Sequence, residues 1–200
     1  MAWKKLTKEE INKRVFKALN ENVSYVNEII LGVPASHLDE KVFPRGASFL
    51  NDAPFLKTMV DNPNHIWCHT FGVSEGFFSG TQAIEREVIE ICASDILKAE
   101  SVSCDGYIAS GGTEANMQAI WIYRNYFREV LQAQLNEICI LCSNDSHYSM
   151  RKAADILNIS IYTVPVDASD RSVVPMELEN TIEKAVAEGK KYFIVVANMM

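Results

Sequence analysis

Ser110-Gly111-Gly112-Thr113-Glu114-Ala115-Asn116 lies between an apolar run, Gly106-Tyr107-Ile108-Ala109, and a helical pattern that opens at Met117. This is the layout with which a chain holds an anion. Glycine lets the backbone approach closely, and a helix that starts immediately behind it presents unpaired N–H groups and the positive end of its dipole. The Thr113 hydroxyl can cap the helix or reach the same oxygen, and Glu114 suits a helix N-terminus. Neither G-x-G-x-x-G nor G-x-x-x-x-G-K is present, which disfavours a dinucleotide or a nucleoside triphosphate as the ligand.

Outward from this turn the chain alternates helix and strand. A helix is expected from Thr81 to about Ala99, with Ile84, Val88, Ile91 and Cys92 on one face. The helix behind the glycines should run to about Leu135, with Ile120, Phe127 and Leu131 on its apolar side. A buried strand over 138–143 follows, then the loop Ser143-Asn144-Asp145-Ser146-His147-Tyr148-Ser149 and a short helix over 150–157. Ser160 to Val166 alternates like a strand. Leu178, Ile182 and Val186 mark a helix opened by Pro175 and closed by Gly189, and Tyr192 to Ala197 is an apolar strand. This order argues for an α/β fold with a mainly parallel sheet. Ligands of such sheets bind at the carboxyl ends of the strands, so the 111–113 turn and the His147 loop are expected to line one pocket.

The amino-terminal part is different. Thr7 as N-cap, Glu10 as its capping-box partner and Leu6 with Ile11 as a hydrophobic staple open a helical stretch over 6–27, striped by Ile11, Val15, Leu19 and Val26. From Leu31 to about Phe78, glycines and prolines dominate, with one short helical pattern near Ala53–Val60. So long an irregular stretch is expected to be functional or to wrap a partner.

The 200 residues are 48% hydrophobic and 22% charged, an ordinary globular composition. A net charge of −7 without a basic cluster argues against nucleic acid as a partner. No signal-like start and no apolar run of membrane-spanning length is visible, so neither a membrane nor export is expected, and the protein reads as cytoplasmic. Five cysteines scattered through apolar segments suit reduced thiols; within the expected strand, Cys139 and Cys142 point to opposite faces and do not form a redox or zinc pair. His65 and His69 have the i, i+4 spacing of metal ligands, but Asn62-Pro63-Asn64 and Trp67 suggest an extended segment, and no metal is expected. Asp167-Ala168-Ser169-Asp170 reads as a solvated turn, and Lys152 as a helix-surface residue.

The segments Gly106 to Asn116 and Ser146-His147-Tyr148-Ser149-Met150-Arg151-Lys152-Ala153-Ala154, some thirty residues apart, closely resemble the pyridoxal-phosphate-dependent group II amino-acid decarboxylases. That family carries G-x-x-T/S-S-G-G-T-E-A/S-N followed by a loop H-x-S-x-x-K-A-A. Phe78-Ser79-Gly80-Thr81 with Ile84-Glu85 resembles the segment before the family's first large-domain helix. The resemblance runs from about residue 62 to 200 and is only general over 1–60.

The resemblance implies the aspartate-aminotransferase-like type I fold of pyridoxal-phosphate-dependent transferases, of which this would be the N-terminal portion. Residues 1–60 would form an N-terminal helix and irregular segment, and 61–200 the first part of the large cofactor domain. It implies pyridoxal 5′-phosphate as cofactor, with Gly111, Gly112 and Thr113 on its phosphate and His147 on its pyridine ring, near the substrate carboxylate, as the catalytic residue. The reaction would be loss of the carboxylate of an L-amino acid as carbon dioxide, within a homodimer. The aspartate that holds the pyridine nitrogen and the lysine that bonds the cofactor aldehyde would follow Met200, so these residues alone should not decarboxylate. The alternatives are a carbon–carbon lyase of the same fold acting on a phosphorylated amino alcohol, and a truncated, non-catalytic protein.

Overall fold

The computed structural model describes residues 5–23, 41–42, 44, 46–61, 78–99 and 104–198. Val26, His65, Trp67 and His69, with most of the glycines and prolines of 31–77, lie outside the described residues. The chain divides into two compact units, Met1–Ile108 and Ala109–Met200.

In the first unit, helix α1 spans Lys8–Glu21. Its capping box is formed as expected: Glu10 N–H donates to Thr7 Oγ1 at 3.2 Å, and Thr7 N–H to Glu10 Oε2 at 2.8 Å. The helix ends short of the expected residue 27 because Asn22 turns extended, with φ −76° and ψ 144°, and its side chain serves another helix. That helix, α3 (Ser79–Ile91), has no side-chain cap of its own at Phe78. Asn22 Oδ1 accepts from the N–H groups of Gly80 at 3.0 Å and Thr81 at 3.2 Å, and Asn22 Nδ2 donates to Thr81 Oγ1 at 3.0 Å. The end of one helix thus caps the start of the other. Gly80 makes the crossing possible, since a Cβ there would lie 1.8 Å from the Ala18 carbonyl oxygen. Between them, a 3-10 turn at Ser48–Asp52 leads into α2 (Pro54–Asp61), near the expected place, with Pro54 as its first residue.

Helix α3 does not bury the face expected of it. Gly80, Gln82 and Glu85 are buried, whereas Val88 is exposed. Glu85 is turned inward by a backbone partner, accepting from Ile108 N–H at 2.6 Å. Beyond Ile91 the helix widens into a π turn, Cys92–Ile96, and ends short of the expected Ala99. The run before the glycines is not a strand either: 104–109 has no regular structure, and the N–H groups of Gly106 and Ile108 are taken by the carboxylates of Asp105 and Glu85.

The second unit is an α/β layer with a parallel sheet, as expected. Strands β1 (Ile138–Ser143), β2 (Ser160–Val164) and β3 (Tyr192–Val196) lie in the order β2-β1-β3, all parallel, with Ile140 opposite Ile161 and Ile194. Every residue of β1 is buried. Helices α4 (Gly112–Glu129) and α5 (Ser149–Leu157) cover one face, where Ile120, Met150 and Ala153 meet Ile138, Ile140, Cys142 and Ile194. Helix α6 (Pro175–Ala187) covers the other, where Ala185, Leu178 and Ile182 meet Cys139, Leu141, Tyr162 and Val164. Cys139 and Cys142 accordingly sit on opposite faces of the sheet, and both are free thiols.

Some boundaries differ from the sequence reading. Helix α4 stops at Glu129, six residues early, because Gln132 takes a left-handed conformation, φ 57°, and Ala133 N–H returns to the Phe127 carbonyl; Leu131 is exposed as a result. Strand β2 ends before Pro165, and Val166 instead bridges Val173. In α6 the inward residue is Ala185, not Val186. The helix is closed near Gly189, whose φ of 86° suits glycine.

Two outcomes follow. Gly80→Ala must push α3 off α1 and is expected to destabilise the protein by about 1–3 kcal/mol, whereas Gly46→Ala, with nothing within 4 Å of its Cβ, should be silent in thermal unfolding. Burial pushes the Cys139 thiol up to about 11 from 9.0, so the fold favours the neutral thiol. The stability it contributes is complete below pH 9 and is lost as pH rises through the folded value near 11, since the unfolded thiol ionises first. Urea midpoints measured between pH 8 and 11 should fall across that window, and less steeply in Cys139→Ala.

Candidate functional site

The two sequence motifs meet at the carboxyl end of β1. Gly111 is the N-cap of α4 and Gly112 its first residue. Gly111 is simply extended, φ 178° and ψ 167°, so its backbone angle does not demand glycine. What the two glycines provide is room: a Cβ at either would find no atom within 4 Å. Among the described residues the N–H groups of Gly112 and Thr113 have no acceptor, while Ala115 N–H already closes onto the Gly111 carbonyl at 3.1 Å. Glu114 turns back to take the N–H of Ser110 at 3.0 Å and its hydroxyl, bracing the turn as expected of an acidic residue at a helix start. The result is an open pair of aligned donors at the positive end of an 18-residue helix, which suits an anion.

The loop after β1 brings His147 beside this turn. Tyr148, between the histidine and α5, links the two motifs: its hydroxyl lies 3.2 Å from Thr113 Oγ1, and its ring centroid lies 4.3 Å from that of His147. Asn116 Nδ2 donates to Ser149 Oγ at 2.9 Å, and Ser149 Oγ lies 2.8 Å from His147 Nδ1. Ser149 is fully buried and His147 is exposed.

Both neighbouring strands brace the loop. On the β2 side, Asn144 N–H donates to the Val164 carbonyl at 2.9 Å, and Arg171 grips Asp145 through two nitrogens, Nε to Oδ2 at 2.8 Å. The Asp145 carboxylate beside it raises the Arg171 value further. On the β3 side, Asn198 Nδ2 donates to Ser143 Oγ at 3.0 Å, and its Oδ1 accepts from Ser146 Oγ at 3.4 Å. The amino ends of the strands are closed instead, by Lys190, whose Nζ donates to the Asn136 carbonyl at 2.7 Å and Ser160 Oγ at 2.8 Å.

Gly111, Gly112, Thr113 and His147 thus lie together. Sequence reasoning gave no role to Asn116, Tyr148, Ser149 or Asn198. The first three stand inside the two motifs, and the signal was there: Asn116 and Ser149 are polar at positions whose helical neighbours, Ile120 and Ala153, face the core. The remaining candidates take the places expected of them. Lys152 is exposed on α5, and Asp167 and Asp170 form a solvated turn in which each accepts a backbone N–H two residues on, from Ser169 and Ser172. Among the described residues no three His, Cys, Asp or Glu side chains are grouped to hold a metal, and no helix is long and apolar enough to cross a membrane; His65 and His69 lie outside them.

Residues 83–199 match the family described as the pyridoxal-dependent decarboxylase conserved domain. The chain belongs to that family. Its cofactor is pyridoxal 5′-phosphate, and membership ties the parallel α/β sheet to the pyridoxal-phosphate-dependent transferase fold. The chain is 43% identical over 197 residues to a tryptophan decarboxylase of Clostridium sporogenes, covering 98% of this chain and 47% of that protein. It is 36% identical over 109 residues to a probable L-tyrosine/L-aspartate decarboxylase of Methanosphaerula palustris, 54% of this chain and 27% of that one. Against an acidic amino acid decarboxylase of Xenopus tropicalis the identity is 32% over 136 residues, 64% of this chain and 25% of that one. A crystal structure of mouse CSAD aligns with 94% of this chain and 47% of its own, at 17% identity and a TM-score of 0.46. The chain spans about half the length of the tryptophan decarboxylase it matches.

The braces on the His147 loop are individually weak. Removing the half-exposed ion pair with Asp145→Ala is expected to cost under ~1 kcal/mol of global stability. Amide exchange of 144–149 should nevertheless rise measurably above that of β1.

Proposed function

We propose that this chain carries the phosphate and ring-facing half of the cofactor site of a pyridoxal-phosphate-dependent amino-acid decarboxylase, which releases carbon dioxide from an L-amino acid and leaves the amine. The observation that carries this reading is the junction of the two motifs through Tyr148 and Asn116, which sets open helix N-terminal donors beside an exposed imidazole. The N–H groups of Gly112 and Thr113 would bind the phosphate, with Gly111 leaving the space for it and the Thr113 hydroxyl adding a further donor. His147 would cover one face of the pyridine ring and fix its plane. When bound, the cofactor supplies the electron sink that accepts the pair left by the departing carboxylate.

The lysine that bonds the cofactor aldehyde and the aspartate that holds its ring nitrogen are, in this reading, not among these 200 residues. Residues 1–60 are read as a separate N-terminal segment and 61–200 as part of the large cofactor domain. The working form is a cytoplasmic homodimer. The identity to a tryptophan decarboxylase makes tryptophan the first amino acid to assay.

The test uses a glycine at which an added Cβ would meet nothing within 4 Å. Gly112→Ala should leave thermal stability within ~0.5 kcal/mol of native, because the added methyl meets no atom within 4 Å. Pyridoxal phosphate should bind the full-length variant at least about tenfold more weakly by titration, a loss of one good hydrogen bond to a charged group. Unchanged affinity would remove the phosphate assignment, and carbon dioxide release from no amino acid would overturn the decarboxylase reading.

A further inference from the structure

We infer that Ser149, held by Asn116, is a positioning residue that fixes the tautomer of His147, leaving the ring proton on Nε2. Three hydrogen bonds decide this. Ser149 N–H points at His147 Nδ1 across 3.3 Å, and a backbone N–H can only donate, so Nδ1 must present its lone pair. Asn116 Nδ2 donates to Ser149 Oγ at 2.9 Å. That contact occupies the oxygen as an acceptor, so the hydroxyl hydrogen turns to Nδ1, 2.8 Å away. Two donors converge on one nitrogen.

The opposite amide orientation fails. With Asn116 Oδ1 facing Ser149, the hydroxyl would donate to the amide and accept from a protonated Nδ1, which would turn that N–H against the Ser149 backbone N–H 3.3 Å away. Burial supports the same order: Ser149 is 0% exposed, so its hydroxyl has no water to exchange with and must satisfy itself within this chain of bonds.

A neutral His147 therefore carries N–H at Nε2, which has no partner among the described residues. It offers a hydrogen-bond donor, not an acceptor, to whatever lies against its outer edge. Within the proposed site, on which this last step rests, the matching group is the carboxylate of the amino-acid substrate. The ring so held can steady that carboxylate but cannot abstract a proton through Nε2 while neutral.

The lock is tested on the protein labelled with ¹⁵N-histidine, above the titration of the ring, by long-range ¹H–¹⁵N correlation, with His147 assigned by its loss in His147→Gln. The native ring should show a pyridine-like Nδ1 and a pyrrole-like Nε2. Asn116→Asp is nearly isosteric but places an acceptor on the Ser149 hydroxyl, so the pattern should move towards Nδ1–H. Ser149→Ala, which keeps only the backbone donor at 3.3 Å, should retain Nε2–H but show a part of the signal moved towards Nδ1–H. A native ring protonated at Nδ1, or one indifferent to both substitutions, overturns the inference.

None of this needs cofactor or turnover. A second readout addresses the reading beneath it: in the holoenzyme, Ser149→Ala should lower kcat about tenfold or more with cofactor affinity unchanged. Tautomer shifts without any change in kcat would keep the lock and remove His147 from the reaction.

Discussion

Strand β1 has no face for water. Ile138 and Ile140 enter the core under α4 and α5, Cys139 and Leu141 the core under α6, and all of them are at most 3% exposed. A strand buried on both faces and hydrogen-bonded on both edges has one register only, because a slip of a single residue would exchange the two cores. The position of its carboxyl end is therefore fixed, and so is the loop that leaves it. His147 is four residues beyond that end. The precision of the site derives from packing that takes place almost entirely elsewhere.

The same constraint explains which parts were legible. An uninterrupted run such as Ile138-Cys139-Ile140-Leu141-Cys142 fits a central strand, and the helices around it carry strong end signals, Pro175 and Gly189 for α6. These local rules agree with the tertiary structure. They failed in α3, where the expected face of Ile84, Val88, Ile91 and Cys92 is not the one buried and Gln82 and Glu85 turn inward. Their burial is dictated by two remote events, the Gly80 crossing against Ala18 and the Ile108 amide reaching Glu85, neither of which leaves a periodic trace. Among the described residues both amide atoms of Gln82 and one oxygen of Glu85 lack a hydrogen-bond partner, the reverse of what periodicity selects for. The cap that Asn22 supplies to α3 is invisible for the same reason, since it joins residues 58 and 59 positions apart.

In the candidate site, the residues singled out by type were legible and the residues that hydrogen-bond behind them were not. Gly111, Gly112, Thr113 and His147 declare themselves by type: a glycine pair before a helix, and an imidazole at a strand end. Asn116 and Ser149 are common polar residues whose meaning lies in the direction of three hydrogen bonds. Gly80 and Gly112 show the same limit from another side. Both stand in the first turn of a helix, yet at one a Cβ would lie 1.8 Å from a backbone oxygen and at the other it would meet nothing within 4 Å. Composition cannot distinguish a glycine that admits a neighbour in the fold from one that faces open space.

An anion at this site must be held against the sign of the protein. The chain carries a net charge of −7, so its long-range field opposes a phosphate and a carboxylate alike. Screening confines that opposition, since at physiological salt exposed charges act over only about 8 Å. Within that range the turn offers donors, the N–H pair of Gly112 and Thr113 and Nε2 of a ring whose other nitrogen is committed to Ser149, while the nearby Glu114 carboxylate is taken up by Ser110. Fixed backbone dipoles do not titrate and need no reorganisation when an anion arrives. A site of this kind therefore depends on the geometry of the turn and on the hydrogen-bond chain behind the histidine more than on any accumulation of positive side chains, and both are held in place by the end of one buried strand.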